Sequence, residues 1–310
     1  MYTRREFGKL TFAGLVPQAA LVVGQGPAQP RIAYDVAGVP IGVQTYSFRG
    51  LPRPAGGDLV DALVRAMAEC GLGECELWAP QIEPAQSLGR GASADERQGA
   101  REALRRWRLD TPLDHFRAIR GRFEQAGLRI YGYNLSFNDG FSDEEIDRGF
   151  ETARALGAEI VTASSTLSAA RRVAPFAASH RTIVAMHNHS NTSDPNEFAT
   201  PDSLLAATTL SPWIRVNLDI GHFTAAGYDA VAFLREHHAL VTNLHVKDRR
   251  SNQGDNVPWG TGDTPIRQVL ALVKAERWPI HAHIEYEHRG AGSPVDEVKA
   301  CYAFVRAALA

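Results

Sequence analysis

Cysteine is scarce in this 310-residue chain, which contains only Cys70, Cys75 and Cys301. Their spacing matches no cysteine zinc site, so a cysteine-based zinc-binding module is excluded. Cys70 and Cys75 flank a predicted turn between a helix and a strand. A disulfide between them is one interpretation, and two buried free thiols are the interpretation that we favour.

A surplus of one charge is also absent. The chain carries 33 Lys and Arg against 35 Asp and Glu, a net charge of −2, so no bulk attraction to nucleic acid is expected. The one basic run, "REALRRWR" at 101–108, is predicted to be a solvated helix face. No glycine-rich phosphate loop follows an early strand, which argues against an open nucleotide-binding sheet.

The first thirty residues differ in pattern from the rest of the chain. The paired Arg4 and Arg5 are followed by an uncharged stretch from Leu10 to Val23. This stretch is too short to span a bilayer comfortably, and it suits the apolar region of a signal peptide. Because it resembles a twin-arginine export signal, we predict that residues 1–30 are a signal peptide and that the protein is periplasmic, with no stable membrane anchor after cleavage. An N-terminal amphipathic tail is the alternative.

From residue 31 onward, short β-branched or aromatic runs alternate with longer amphipathic patterns. The predicted strands are 40–48, 74–79, 128–137, 158–164, 181–189, 214–220, 241–248 and 279–287. The predicted helices are 57–70, 111–126, 142–156, 167–179, 201–209, 228–237, 264–276 and 294–309.

Eight βα rounds predict an α/β fold, a single (β/α)8 TIM barrel over residues 31–310, because each parallel connection needs a crossover helix. The stretch 80–110 is a long insertion after the second strand, with a helix of its own near 93–107. Long loops that follow barrel strands usually serve the active-site face.

Residues of metal-ligand type stand at the ends of four consecutive predicted strands. The fifth strand ends with His187 and His189, the sixth with Asp219, the seventh carries His245 and the eighth Glu285. Because the C-terminal ends of barrel strands meet at one mouth, these side chains are expected to converge. Two nitrogen and two oxygen donors suit one divalent ion, Mn, Zn or Co, with Mg or Fe as further options. The sequence leaves open which of the two fifth-strand histidines is the ligand.

The segments "LDIGH", "LHVKD", "WGTGDTPI" and "IEYE", in this order, resemble the xylose isomerase-like barrels known as sugar phosphate isomerases and epimerases. The resemblance extends over residues 40–310. It implies a (β/α)8 barrel with one catalytic divalent metal, held by His187 (or His189), Asp219, His245 and Glu285. It further implies that His222 contacts substrate hydroxyls.

One position departs from the family pattern. Family epimerases often carry a glutamate on the fifth strand, paired with the eighth-strand glutamate as two acid/base groups, where this chain has His187. Stereochemical inversion by two carboxylates is therefore not implied. The "HNH" variant is similar to exported relatives that cleave or isomerise oxidised sugars, including 3-keto-glycosides.

These observations predict an enzyme that removes a proton next to a sugar carbonyl, a sugar isomerase or epimerase. The alternatives are a lyase or hydrolase of 3-keto-glycosides and a non-catalytic carbohydrate-binding barrel with a structural metal. The candidate acid/base groups are Glu285, His189 and Lys247. The candidate substrate-binding residues are Tyr46, Glu76, Trp78, His222 and Trp259. The expected partner is a small sugar, nucleic acid is not expected, and a homo-oligomer stays open.

His281 and His283 lie early on the eighth predicted strand, near its middle or the opposite mouth, and are left out of the site. His237 and His238 end a predicted helix, where polar or cationic side chains favour the helix dipole, and we interpret them as structural.

Overall fold

Eight parallel strands close into a barrel in the computed structural model, which describes residues 31–54, 57–85 and 91–310. The strands are β1 (Val39–Gln44), β2 (Glu74–Trp78), β3 (Arg129–Asn134), β4 (Ile160–Ser164), β5 (Ile183–His187), β6 (Ile214–Asp219), β7 (Val241–Val246) and β8 (His281–Ile284). The barrel closes because β1 pairs with β8, with Ile41 opposite Ala282 and Val43 opposite Ile284. The predicted TIM barrel is confirmed. The proposed signal peptide lies outside the described residues.

Helices surround the barrel and cover its outer face. They are α1 (Val60–Cys70), α2 (Ala94–Asp110), α3 (Leu113–Gln125), α4 (Asp143–Ala155), α5 (Leu167–His180), α6 (Pro201–Thr208), α7 (Ile220–Ala225), α8 (Ala230–His237), α9 (Ile266–Glu276) and α10 (Pro294–Leu309). Their apolar faces pack on the strands in one continuous core. Within the described residues, no helix combines the length and apolarity needed to cross a bilayer.

Local side-chain signals set several helix ends. Ser142 and Glu145 form the predicted capping box of α4: the Ser142 hydroxyl accepts from the Glu145 backbone, and the Glu145 carboxylate accepts from the Ser142 backbone. Gly71 ends α1 with a φ of 71°, a left-handed conformation that glycine adopts without strain. Helix α7 was not predicted; it begins immediately after β6 because Asp219 accepts a hydrogen bond from the His222 backbone N–H.

The predicted insertion after β2 contains α2, whose basic run is only partly solvated. Arg105 donates to the Glu145 carboxylate at 3.0 Å, and Arg108 donates to Glu83 at 2.8 Å. Both glutamates are only 4% exposed, so these ion pairs attach the insertion helix to the first turn of α4 and to the segment that follows β2. The prediction of a solvated helix face was wrong for these two arginines, because their partners lie 40 and 25 residues away in sequence.

The barrel interior is unusually polar. Glu74, Glu76, Asn217, Asn243 and His283 are all fully buried. The three cysteines, in contrast, are buried free thiols, as the favoured interpretation held. The apolar core therefore lies between the barrel and its helices, and the barrel interior is available for a network of polar and charged groups.

Candidate functional site

The four predicted metal ligands lie together at the C-terminal mouth. His187 ends β5, Asp219 ends β6, His245 lies in β7, and Glu285 directly follows β8. Strand register brings them to one level, since Asp219 pairs with His245 across the β6–β7 ladder. One ligand atom from each of the four lies within 4.8 Å of those of the others, and all four residues are buried. The mouth thus holds a buried histidine and carboxylate cluster that could bind a divalent metal.

The orientation of two side chains fits a shared cation. His245 Nδ1 and Glu285 Oε2 are 3.1 Å apart, yet both are buried atoms without a hydrogen bond. Glu285 Oε2 also lies 2.8 Å from Lys247 Nζ, so His245 Nδ1 is the atom of this pair that keeps capacity for another partner. His187 Nε2 lies 3.2 Å from Asp219 Oδ2. Two imidazole nitrogens and two carboxylate oxygens form a donor set typical of zinc, manganese or cobalt.

The two histidines of the "HNH" segment differ in position. His187 is 3% exposed, and burial lowers its pKa to about 4, so its ring is neutral and keeps a lone pair for a ligand bond. The strand ends at His187, and the His189 backbone N–H donates instead to the Phe198 carbonyl. The His189 side chain is 39% exposed at the rim, with Nδ1 3.1 Å from Glu197 Oε1. Geometry therefore places His187 in the cluster and His189 beside it.

Lys247 is a charged partner of the carboxylates. Its Nζ lies 2.9 Å from Asp219 Oδ2, 2.8 Å from Glu285 Oε2 and 2.6 Å from Glu287 Oε2. Burial alone would lower the pKa of Lys247, but the negative charge of Asp219, Glu285 and Glu287 raises it above its ordinary value. The geometry therefore favours a permanent ammonium and opposes the predicted role of Lys247 as a base.

The same contacts keep the ligand carboxylates ionised. Burial would raise the pKa of Glu285, yet the nearby Lys247 and His245 bring it to about 2. Burial likewise opposes ionisation of Asp219, and Lys247 holds the pKa of Asp219 well below its usual value. Ionised carboxylates and a neutral His187 are the protonation states that metal binding requires. Burial would lower the pKa of His245, but the charges of Glu76 and Glu285 raise it well above its ordinary value, so metal binding would displace a proton from His245.

Glu76 lies beneath the cluster and orients His245. It is fully buried, and its Oε2 lies 2.9 Å from His245 Nε2. An N–H at Nε2 directed to Glu76 leaves His245 Nδ1 to face the cluster, an arrangement common around metal-bound histidines. The other groups that donate to the Glu76 carboxylate come from Gln44, Asn134, Thr162, Asn243 and His283. Glu76 was predicted either to contact substrate or to support a ligand histidine, with a barrel-interior carboxylate as the alternative; the structure places it beneath His245, and it does not line the cavity.

Arg249, which the sequence analysis missed, contacts His222. Its guanidinium donates to His222 Nδ1 at 2.6 Å and to Ser190 Oγ at 3.1 Å. Because a guanidinium only donates, His222 Nδ1 must accept, and the hydrogen of a neutral ring lies on Nε2. Burial and the neighbouring Lys247 lower the pKa of His222, which favours this neutral ring. Arg249 directly follows the "LHVKD" segment, and that adjacency was the only sequence signal.

A cavity of about 260 Å³ opens above the cluster. Of the predicted substrate-binding residues, Tyr46, Trp78 and His222 line it, together with His189. The Tyr46 ring meets the Trp78 ring edge-on with centroids 4.9 Å apart. Trp259, also predicted to bind substrate, packs its ring against Phe304 of α10 and does not line this cavity.

A second group of metal-ligand type lies deeper in the barrel, where the sequence analysis had placed the early histidines of β8. Glu74 Oε1 lies 2.7 Å from His281 Nδ1 and 3.1 Å from His283 Nε2. The other nitrogen of His283 lies 3.2 Å from Glu76 Oε2, so the group continues into the support of the mouth cluster. Arg129 Nε, 2.9 Å from Glu74 Oε2, supplies a compensating charge.

Comparison with known proteins agrees with this architecture. A family model described as xylose isomerase-like TIM barrel matches residues 64–307. A search of curated proteins finds no match. The similar solved structures include a 3-keto-D-glucoside 4-epimerase, YcjR, from E. coli, with 12% identity, a TM-score of 0.60 and coverage of 87% of this chain and 99% of that chain.

Two further structures share the fold at similarly low identity. One is the probable 3-DHS dehydratase AsbF from Bacillus anthracis, with 14% identity, a TM-score of 0.60 and coverage of 85% of this chain and 98% of that one. The other is a sugar phosphate isomerase/epimerase from Parabacteroides distasonis, with 16% identity, a TM-score of 0.58 and coverage of 86% and 95%. Since the family model spans most of the chain and the barrel is closed, this protein belongs to the xylose isomerase-like TIM barrel family.

Proposed function

We propose that this protein is a divalent-metal-dependent enzyme that removes a proton from the carbon next to the carbonyl of a sugar or keto-sugar. The observation that carries the proposal is the convergence of His187, Asp219, His245 and Glu285 below an open cavity. The printed names of the similar structures support it, since they include a sugar phosphate isomerase/epimerase and a 3-keto-D-glucoside 4-epimerase.

The four cluster residues would hold the metal, with His245 oriented by Glu76. A divalent cation bound there supplies Lewis acidity to a carbonyl oxygen and its neighbouring hydroxyl. Lys247 adds a fixed positive charge beside Asp219 and Glu285. This charge favours the anionic oxygen that develops when the substrate loses its proton.

His189 is the candidate base that the geometry supports best. Its Nδ1 lies 3.1 Å from Glu197 Oε1, and this negative charge favours the tautomer with its hydrogen on Nδ1, in which the lone pair of Nε2 is available. The carboxylate would also stabilise the imidazolium formed after proton transfer. His222, with its hydrogen on Nε2, is placed on the same cavity to donate to a substrate oxygen.

A single base on one side of the substrate is compatible with two reactions, isomerisation and β-elimination. Return of the proton to the neighbouring carbon gives isomerisation, and loss of a β-leaving group gives a lyase of 3-keto-glycosides. Inversion at one carbon requires a second proton donor on the opposite face, and Glu285, the remaining candidate, is ion-paired with Lys247 at 2.8 Å. The histidine at the fifth-strand position thus favours isomerase or lyase chemistry over epimerisation by two carboxylates.

Proton exchange in deuterated water tests the proposal. Metal-loaded protein is incubated with a panel of free ketoses and 3-keto-glucosides, and deuterium incorporation next to the carbonyl is followed by NMR. We expect exchange with at least one substrate, and loss of exchange in the Asp219→Ala variant. Sugar binding without exchange of any substrate proton would favour the non-catalytic carbohydrate-binding alternative.

We also propose that the protein is exported through its paired arginines. The support is the sequence itself, Arg4 and Arg5 ahead of an uncharged stretch. A fusion of residues 1–30 to a folded reporter should reach the periplasm, and the double change Arg4→Lys and Arg5→Lys should retain it in the cytoplasm. Equal export of both fusions would contradict a twin-arginine signal.

A further inference from the structure

A second cavity adjoins the metal-ligand cavity at the barrel mouth. It has a volume of about 390 Å³, and Trp78 and Ser136 line both cavities. Its remaining walls include Leu104 from α2, Leu135 just after β3, and Phe141 in the loop before α4. The insertion after β2 therefore creates a space that extends the site sideways from the metal-ligand cluster.

Four charged side chains line this second cavity: Arg108 and Glu145 are ion-paired, and Arg97 and Arg101 are exposed. Arg108 lies 2.8 Å from Glu83 Oε1 and 3.4 Å from Glu145 Oε1. Arg105 donates to the other oxygen of Glu145 at 3.0 Å. The Arg108 guanidinium also lies over the Phe141 ring, 4.7 Å from its centroid. Trp78, Leu104, Leu135 and Phe141 give the cavity an extended apolar wall.

We propose that this second cavity is an aglycone subsite that takes an apolar ring joined to the sugar held in the metal-ligand cavity. The proposal rests on the proposed function, because the sugar ring is the part that reaches the cluster. The metal-ligand cavity, at about 260 Å³, is smaller than the roughly 300–1,000 Å³ of most ligand sites, whereas the two joined cavities fall within that range.

The wall chemistry selects the class of aglycone. A second sugar would present several hydroxyl groups, each of which needs a hydrogen-bonding partner when it leaves water. Among the polar groups here, Glu145 is ion-paired and the Asn138 carboxamide oxygen accepts from the Gly140 backbone, while the exposed Arg97 and Arg101 can only donate. An aryl ring instead finds aromatic and aliphatic surface at the junction of the two cavities. The apolar lining thus favours an aryl glycoside as the substrate class.

Calorimetric binding of two unreactive glucosides to the metal-loaded protein tests the subsite. Phenyl and methyl β-D-glucopyranoside share the sugar and differ only in the aglycone. We expect phenyl glucoside to bind about tenfold more tightly, the effect of one buried aromatic contact. Equal affinities, or the absence of phenyl glucoside binding, would overturn the proposal.

Variants of α2 locate the effect. Leu104→Asp should abolish the preference for the phenyl glucoside, and the milder Leu104→Ala should reduce it several-fold while the fold is kept. Ala103→Asp is the matched control, because Ala103 lies on the same helix but is exposed and does not line the cavity. A preference that survives both Leu104 changes would assign the phenyl group to another surface and refute the subsite.

The binding measurement tests the aglycone subsite independently of the proposed function. The binding preference does not depend on proton exchange, so a preference that is lost in the Leu104 variants supports the subsite even when no substrate proton exchanges. Exchange on 3-keto-glucose with equal affinity for both glucosides would retain the function and reject the subsite.

Discussion

A single guanidinium decides which nitrogen of His222 carries its hydrogen. Arg249 donates to His222 Nδ1 at 2.6 Å, and the hydrogen of the neutral ring must therefore lie on Nε2. The Arg249→Met change removes this donor, and we expect a fall in kcat of about 10- to 100-fold. Arg249→Lys, which keeps a donor, should recover part of the loss. The ¹⁵N chemical shifts of His222 should report an Nε2–H ring in the native protein and a mixed tautomer in Arg249→Met.

The neighbouring arginine supplies the control for this prediction. Arg250 is 54% exposed and pairs only distantly with Asp263, at 3.8 Å, so Arg250→Met should leave kcat and the His222 shifts unchanged. Unchanged shifts in Arg249→Met as well would show that Arg249 does not set the tautomer, whatever happens to activity.

At the residue scale, the sequence predicted which residue types converge but not their separate tasks. Because side chains alternate along a strand, His187 and His189 were expected on the same side, and the pattern did not distinguish them. The structure distinguishes them, because β5 ends at His187. Glu76 and Lys247 were both placed at the mouth. Their roles depend on charged side chains that other parts of the chain contribute, and no local sequence pattern encodes those contacts. For Lys247 the most important of these side chains are Asp219, Glu285 and Glu287.

At the scale of elements, the insertion helix α2 depends on buried ion pairs. Arg108 is 16% exposed, and its partners Glu83 and Glu145 are each 4% exposed. Arg108→Leu leaves the Glu83 carboxylate buried without its partner, and we expect a loss of about 2 kcal/mol in the free energy of unfolding. Denaturation in urea measures the change. Arg106→Leu is the control on the same helix, since Arg106 is exposed; a loss of equal size there would contradict the ion-pair explanation.

Most elements could be predicted because eight repeated apolar patterns left few alternatives to a closed barrel. The insertion helix was placed correctly, yet its basic face was misjudged, because Glu83 and Glu145 reach it only in the folded protein. Helix α7 was missed for a different reason. Six residues have too little periodicity to predict a helix, and its N-cap residue, Asp219, had already been assigned to the metal site.

At the scale of the whole molecule, the buried Glu74 couples stability to pH. Burial would raise the pKa of Glu74, but hydrogen bonds from His281 and His283 bring it from 4.5 to about 2. The pKa of Glu74 is lower in the folded protein than in the unfolded chain. The ionised carboxylate therefore stabilises the folded protein above pH 4.5, and this contribution is lost as the pH falls towards 2. The contribution is on the order of 3 kcal/mol.

The test is the slope of unfolding free energy against pH in that interval. The Glu74→Gln variant should have a flatter slope than the native protein, and Glu69→Gln, at an exposed glutamate, should keep the native slope. Equal slopes for Glu74→Gln and the native protein would mean that Glu74 titrates alike in the folded and unfolded states.

The central claim for the whole molecule is that one divalent cation lies where the last four barrel strands end. The structure also contains a rival for that position, since the ammonium of Lys247 touches Asp219 and Glu285 and could balance their charge alone. Metal content therefore decides between a metalloenzyme and a self-compensated ion cluster more directly than any activity assay.

Elemental analysis after purification and reconstitution gives that measurement. We predict about one divalent ion per chain in the native protein, loss of the ion in Asp219→Ala and in His245→Ala, and full occupancy in His237→Ala, whose ring packs against Phe233 away from the mouth. A native protein that retains no metal under any loading condition, or full occupancy in both Asp219→Ala and His245→Ala, would contradict the account.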